Sequence, residues 1–289
     1  MVGVELRDGG AFAVLVSTDG EVRKQAEAAG EGPAVVEAVE RLATEPASIG
    51  VAVPSLENGS ATRAIELLVK RYASVVHTTP IPVGTAAAVA EHWIGAARGI
   101  ADVVYFAVGD HVHAGIVRGG TAVMGRRGYG PAAGWLALNP VEREDYRRIG
   151  CLEAEVAAAG IVRRLVWRIK SGDHSRLQDL VDGDFTRITA DRIVEGARGG
   201  DGVSISVMRD TAKYLGMAAA NLAVIADPET IVVGGLMASA ADLLLEAVRV
   251  EVSRRVPSSM APSLNVVAAS IGPEAAAIGA ARLGAAGRR

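Results

Sequence analysis

Cysteine is nearly absent: Cys151 is the only one in 289 residues, which excludes an intrachain disulfide and suits a reducing compartment. Aromatic residues make up 4% of the chain while half of it is hydrophobic, with Ala, Val and Gly dominant. That balance argues against an aromatic-rich β-sandwich and for close helix-on-sheet packing. No run of Lys or Arg exceeds two, and a net charge of -3 with a pI near 6.0 leaves no basic face, so no direct nucleic-acid binding is expected of this chain. Nothing approaches the roughly 18 to 20 uninterrupted apolar residues of a membrane span; the stretch Met217 to Ala226 is broken by Asn221 and stopped by Asp227. The opening MVGVELRDGG has neither a basic leader nor a long apolar core. The expectation is a soluble, cytoplasmic protein with no membrane partner.

What is present is alternation. Val2 to Leu6 and Ala11 to Val16 are short β-rich runs around Arg7-Asp8-Gly9-Gly10, and Thr18-Asp19-Gly20-Glu21 makes a second turn before Val22. Helical spacing over Gly32 to Leu42, a compact apolar run at Ile49 to Val53, a helix over Ser60 to Tyr72, a strand at Ser74 to His77 and an alanine-rich helix at Thr85 to Trp93 follow. The pattern then restarts. Val103 to Val108 reads as a buried strand, Gly109-Asp110 as a turn, and a second strand resumes by Ala114. Beyond it come a strand at Thr121 to Met124, a helix over Glu153 to Ser171, helices at Asp191 to Arg198 and Gly202 to Ala226, a buried strand at Thr230 to Val233, a helix over Ser239 to Val252, a strand at Leu264 to Ala268 and a terminal helix from Pro273. Strands alternating with helices imply largely parallel sheets. Each half opens on a hairpin, so the reading is two α/β lobes around a cleft, with a length that suits two domains of roughly 100 to 200 residues.

Four stretches carry a resemblance: AEHWIGAARGIADVVYFAVG at Ala90 to Gly109, GCLE at Gly150 to Glu153, ADPETIVVGG at Ala226 to Gly235, and EAAAIGAARLGA at Glu274 to Ala285. In this order and spacing the chain resembles the ROK proteins (repressors, open reading frames and sugar kinases). The resemblance implies an α/β, two-lobed actin-like ATPase (ribonuclease H-like) fold with an interlobe cleft. Residues 1–102 would form an N-terminal lobe, completed by the C-terminal helix 274–289, and residues 103–273 a larger lobe. A homodimer and a sugar or sugar-phosphate ligand are implied as partners.

The chemistry of a sugar kinase is implied far less well. The family's D-x-G-G-T-K phosphate loop falls on Glu5-Leu6-Arg7-Asp8-Gly9-Gly10, which keeps a carboxylate at Glu5 but loses glycine freedom to Arg7 and Asp8. The aspartate of N-D-A-N-A-A-A, which takes the proton from the sugar hydroxyl, falls on Val83, and valine accepts no proton. The second phosphate loop, G-T-G-I-G-A-G, reads Gly109-Asp110-His111-Val112-His113-Ala114-Gly115. A carboxylate such as Asp110 at ~4 Å from a phosphate charge costs roughly 1 kcal/mol in water-like surroundings and about 4 at intermediate dielectric. The sugar-binding E-x-G-H is replaced by Trp135-Leu136-Ala137-Leu138, and the zinc motif keeps only Gly150 and Cys151 of its pattern. One thiolate does not make a structural zinc site, so the family's zinc is expected to be absent and no metal site is assigned. No cofactor is expected, with residual ATP and Mg²⁺ binding left open.

Several positions remain as ligand-binding candidates: Glu153, where the family has a sugar-contacting glutamate, together with Asp110, His111, His113, Trp135 and Ser55. Glu5, Asp8, Gly9, Gly10, Gly109, Gly234 and Gly235 are the nucleotide-binding candidates. The pair His111-x-His113 has the spacing of two metal ligands on one face, although a cleft-lining pair is the simpler reading. With the base, the phosphate glycines, the sugar motif and the zinc ligands all altered, the expectation is a non-catalytic, ligand-sensing or regulatory protein, a pseudokinase. Two alternatives stay open: an ATP-dependent sugar kinase in which Asp110, Glu5 or Asp8 takes over, and a structural homodimeric scaffold.

Overall fold

Two five-stranded sheets of matching design organise the computed structural model, which describes residues 1–54, 59–126, 128 and 130–286. In the first, β1 (Val2–Arg7), β2 (Gly10–Val16) and β3 (Val22–Ala29) form an antiparallel meander. After α1 (Ala34–Glu40), β4 (Ile49–Val53) returns parallel to β1. Then α2 (Ser60–Tyr72) leads to the two-residue β5 (Ile81–Pro82), parallel to β4, and to α3 (Val83–Ile94). The order is β3-β2-β1-β4-β5. Burial follows position. All five residues of β4, IGVAV, are buried, as a strand covered on both faces requires, whereas β3 at the edge exposes Lys24 and Gln25.

The second sheet repeats the plan. β6 (Val103–Val108), β7 (Val112–Arg118) and β8 (Thr121–Ala122) form the meander. A helical section follows: α4 (Glu144–Ile149), α5 (Cys151–Val156), α6 (Ala158–Lys170), α7 (Arg176–Leu180), α8 (Ala190–Arg198) and α9 (Gly202–Ala226). β9 (Thr230–Gly235) then pairs parallel with β6; α10 (Leu236–Ser239) and α11 (Ala241–Arg255) precede β10 (Asn265–Ala268), which pairs parallel with β9, and α12 (Ala275–Ala286) closes the described chain. The long α9 has clear ends. The Asp201 carboxylate accepts the Ser204 N–H at 2.8 Å as an N-cap, and Asp227 stops the helix in the left-handed region at φ 46° before Pro228.

The alternation and the duplicated plan match the sequence reading, but several elements differ: the strand read over Thr121 to Met124 is only the two-residue β8, β5 and α4 have no counterpart in the sequence reading, and three further elements change as follows. Ser74 to His77 is not a strand: Ala73–Val75 is a 3₁₀ turn and only Val76 bridges to Ile49, because Ala73 sits at φ 48° and breaks the extended run. Glu153 to Ser171 is two helices, since Ala157 is extended at ψ 159° between α5 and α6. The helix read over Ser239 to Val252 is divided at Ala240 into α10 and α11.

Helices α3 and α12 lie together where the two sheets meet. α12 packs on β1 and β4 of the first sheet, and α3 packs on β6 and β7 of the second. Their small side chains make backbone contact practicable. A Cβ placed on Gly279 would stand 1.7 Å from the Ala86 carbonyl oxygen, so no side chain fits without separating the helices. Gly279→Ala is expected to cost about 1–3 kcal/mol through this overpacking, read as a lowered urea midpoint with an unchanged slope.

Candidate functional site

Ligands of parallel α/β sheets settle at the carboxyl ends of the strands, and that is where the hollow of this molecule lies. The residues ending β1, β4, β6, β9 and β10 border two adjoining cavities of about 430 and 840 Å³. The smaller is walled by Val83, Gly84, Pro131, Trp135, Arg148 and Glu153 among others; the larger includes Glu5, Arg7, Tyr105, Gly109, Asp110, Gly235 and Ser270. Asp8, Pro54, Val83, His111 and His113 border both, so they mark the junction.

His111 organises this junction. Its Nδ1 lies 2.9 Å from Glu153 Oε1, and its Nε2 lies 3.6 Å from Asp8 Oδ2. The other oxygen of Glu153, Oε2, accepts the Val112 N–H at 3.1 Å. The arms are unequal. Asp8 is 88% exposed at its side chain and the contact is long, so solvent screens it; Glu153 is 18% exposed and doubly hydrogen-bonded. The hydrogen bond to Glu153, with the charges of Glu153 and Asp8, overcomes partial burial and raises the His111 pKa to about 9. Because the folded value lies above the ordinary 6.5, the bridge contributes fully below that pH and is lost as pH rises through about 9. His113 behaves oppositely: burial, reinforced by the neighbouring His111 cation, lowers it to about 4, so it stands neutral. The two rings meet edge to face with centroids 6.2 Å apart.

The first hairpin fills the other side. Glu5 points from β1 into the larger cavity, and burial raises its pKa more than Arg7 lowers it. Arg7 donates from Nε and Nη2 to Glu5 Oε2 at 3.0 and 2.8 Å, donates from Nη2 to the Pro273 carbonyl at 2.9 Å, and lies 4.2 Å over the Phe12 ring. This guanidinium is therefore committed to a carboxylate and to the loop before α12. Glu5, so compensated, is a poor fit for a magnesium ion.

Not all the expected positions converge. Glu5, Gly109, Asp110 and Gly235 border the larger cavity, Glu153 and Trp135 the smaller, and Asp8, His111 and His113 both. Gly9 and Gly10 border neither: Gly9 lies in the turn from β1 to β2, and Gly10 opens β2 and pairs with Ala29 of β3. Gly234 borders neither: a Cβ there would stand 2.3 Å from the Tyr105 hydroxyl, so strand packing accounts for this glycine. Gly235 has φ 60° and turns β9 toward α10. Ser55 lies outside the described residues. Sequence reasoning missed Arg148, whose stretch read only as a degenerate zinc motif.

That stretch does not fit a zinc ion. Cys151 is a free, buried thiol, and among the described residues no three His, Cys, Asp or Glu side chains cluster as a metal site. The oxygen nearest to a ligand role is already used. Glu155 Oε1 accepts the Tyr146 hydroxyl at 2.5 Å and Arg143 Nη1 at 3.1 Å, while Arg143 and Arg163 both pair with Asp145 at 2.7 and 2.5 Å. An ion-paired network ties α4, α5 and α6 together here.

Comparison with known proteins places this geometry. A family model described as ROK family matches residues 79–286. A glucokinase of Halalkalibacterium halodurans is 31% identical over 196 residues, covering 67% of this chain and 59% of the enzyme. The DNA-binding transcriptional dual regulator NagC of Escherichia coli is 28% identical over 181 residues, covering 62% of this chain and 43% of the regulator. The chain thus spans about three fifths and two fifths of the lengths of these relatives. Among solved structures, a ROK family glucokinase from Streptomyces griseus in complex with glucose and AMPPNP superposes with a TM-score of 0.81 at 23% identity, covering 99% of both chains. Among the described residues no helix is long and apolar enough to cross a membrane.

Proposed function

The chain belongs to the ROK family, and from that premise we propose that it is a non-catalytic, ligand-sensing member, a sugar-binding pseudokinase with a regulatory role. The family relatives include both glucokinases and repressors, so membership alone leaves both open. The observation that carries the choice is the junction of the two cavities. Val83 borders both of them at the position the resemblance gives to the proton-accepting aspartate, and His111, which also borders both, is bridged to Glu153. Loss of a positioned base typically costs ~10²–10⁴ in rate. The groups around the larger cavity add to this. Asp8 and Asp110 offer negative charge to a triphosphate, and Arg7 is engaged by Glu5, Glu27 and Pro273.

A coupled ADP-release assay across hexoses and N-acetylhexosamines tests the reading. Sugar-dependent turnover is expected to be absent, while thermal-shift measurements with sugars and sugar phosphates are expected to show stabilisation, which reaches about 2.7 kcal/mol for a ligand at a hundred times its Kd. Sugar-dependent ADP release that disappears in Asp110→Ala would establish a kinase with relocated residues instead. A flat thermal response to every compound would count against sensing.

A further inference from the structure

The smaller cavity is restricted in what it takes by which of its charged groups are free. Glu153 has one oxygen on His111 and the other on the Val112 N–H. Asp8 faces His111 from the other side. His113 is neutral, because burial and the His111 cation oppose its protonation. Arg148, in the last turn of α4, is different: its neighbours Arg143 and Arg147 are paired with Glu155 and Glu142, but Arg148 has no ion pair or side-chain hydrogen bond with any described residue. It borders this cavity and not the larger one.

Trp135 borders the same cavity and is 53% exposed although it is one of the largest apolar side chains in the molecule. An indole open to a cavity of about 430 Å³ offers a flat apolar platform within the range of small-molecule sites. A guanidinium nearby offers a planar pair of donors suited to a carboxylate or phosphate. A neutral hexose gains a charged acceptor for its hydroxyls here only by displacing His111 from Glu153, which would break a charge-assisted hydrogen bond for each molecule bound. An anionic sugar gains the Arg148 pair and leaves the Glu153 arrangement intact.

We propose that the smaller cavity takes a hexose-sized anion, a sugar acid or sugar phosphate, with Arg148 as the partner of its charged group and Trp135 as the platform for its ring. This rests on the ligand-sensing reading above and names the chemical class of the ligand.

Isothermal titration of the full chain at pH 7 with glucose, glucuronate, glucose 6-phosphate and inorganic phosphate tests it. At least one of the two anionic sugars is expected to bind tenfold or more tightly than both glucose and inorganic phosphate. The stronger of the two distinguishes a carboxylate from a phosphate site. Arg148→Gln, an exposed change that leaves the fold intact by thermal melting, is expected to reduce that sugar to the affinity of glucose. His111→Ala, which frees Glu153, is expected to narrow the gap by strengthening glucose. Glucose binding as tightly as both anions, or a preference that survives Arg148→Gln, would overturn the proposal and leave the sensing reading in place. Binding of none of the three sugars would overturn both.

Discussion

Replacing Glu91 by alanine is expected to remove roughly 2–4 kcal/mol of folding stability, because three partly buried backbone donors lose their acceptor at once. Glu91 lies near the end of α3 and is 0% exposed. Its carboxylate accepts Ala96 N–H at 2.7 Å, Ile271 N–H at 2.9 Å and Ser270 N–H at 3.1 Å, and the Ser270 hydroxyl at 3.3 Å. One side chain thus joins the end of α3 to the segment between β10 and α12. The helix on one side of this joint begins at Val83, at the cavity junction, and Ser270 and Ile271 wall the larger cavity on the other. The same substitution should therefore disturb the cleft as well as stability. Glu91→Gln keeps one acceptor oxygen but presents an amide donor to the remaining N–H groups, so an intermediate loss is expected. Urea denaturation of the three proteins measures this order; an alanine variant within 0.5 kcal/mol of the parent, a change typical of neutral surface sites, would show that the joint carries no load.

Glu155→Ala is the second large effect, about 2–4 kcal/mol. Glu155 is 4% exposed and holds the Tyr146 hydroxyl and Arg143, with Arg163 at 3.8 Å. Burial and the Glu155 carboxylate push Tyr146 up to about 12, so its hydroxyl remains a donor throughout the neutral range. The expected cost is below that of removing one member of a fully enclosed ion pair, since Arg143 and Arg163 are 41% and 40% exposed and recover water. Glu155 shares the six-residue α5 with Glu153, so loosening this network should also free the acceptor of His111. Glu155→Gln, which preserves an acceptor for Tyr146, is expected to lose about 1 kcal/mol. Thermal unfolding separates the two variants, and equal losses would assign the effect to charge alone.

Most of the architecture was legible in the sequence for local reasons. Apolar runs such as Ile49 to Val53 and Val103 to Val108 are short, β-branched and bounded by turn residues, and both are buried strands. Gly202 to Ala226 is followed by its own stop signal, Asp227-Pro228, and its bounds are those read from the sequence. The misread elements are those whose local signal is ambiguous. Ser74 to His77 has strand-like residues but begins beside a positive-φ alanine, and Ala157 divides two helices without a proline or glycine to announce it.

The site was legible in type but not in state. Sequence alone determined that this chain has the ROK pattern, and the resemblance carries the expectations that Val83 stands where a proton acceptor belongs and that Asp110, His111 and His113 take phosphate-loop positions, because residue identity is a property of the chain. Tertiary structure alone decided which of those groups are free. Glu153 and His111 are 42 residues apart in the chain, and their contact commits the carboxylate that the resemblance assigns to sugar. Glu155 became a structural anchor by meeting Tyr146 and Arg143, and Arg148 became available because, among the described residues, its neighbours and not it found acidic partners. Charge pairing depends on distances of a few ångströms between separate elements, and no spacing along the sequence encodes them.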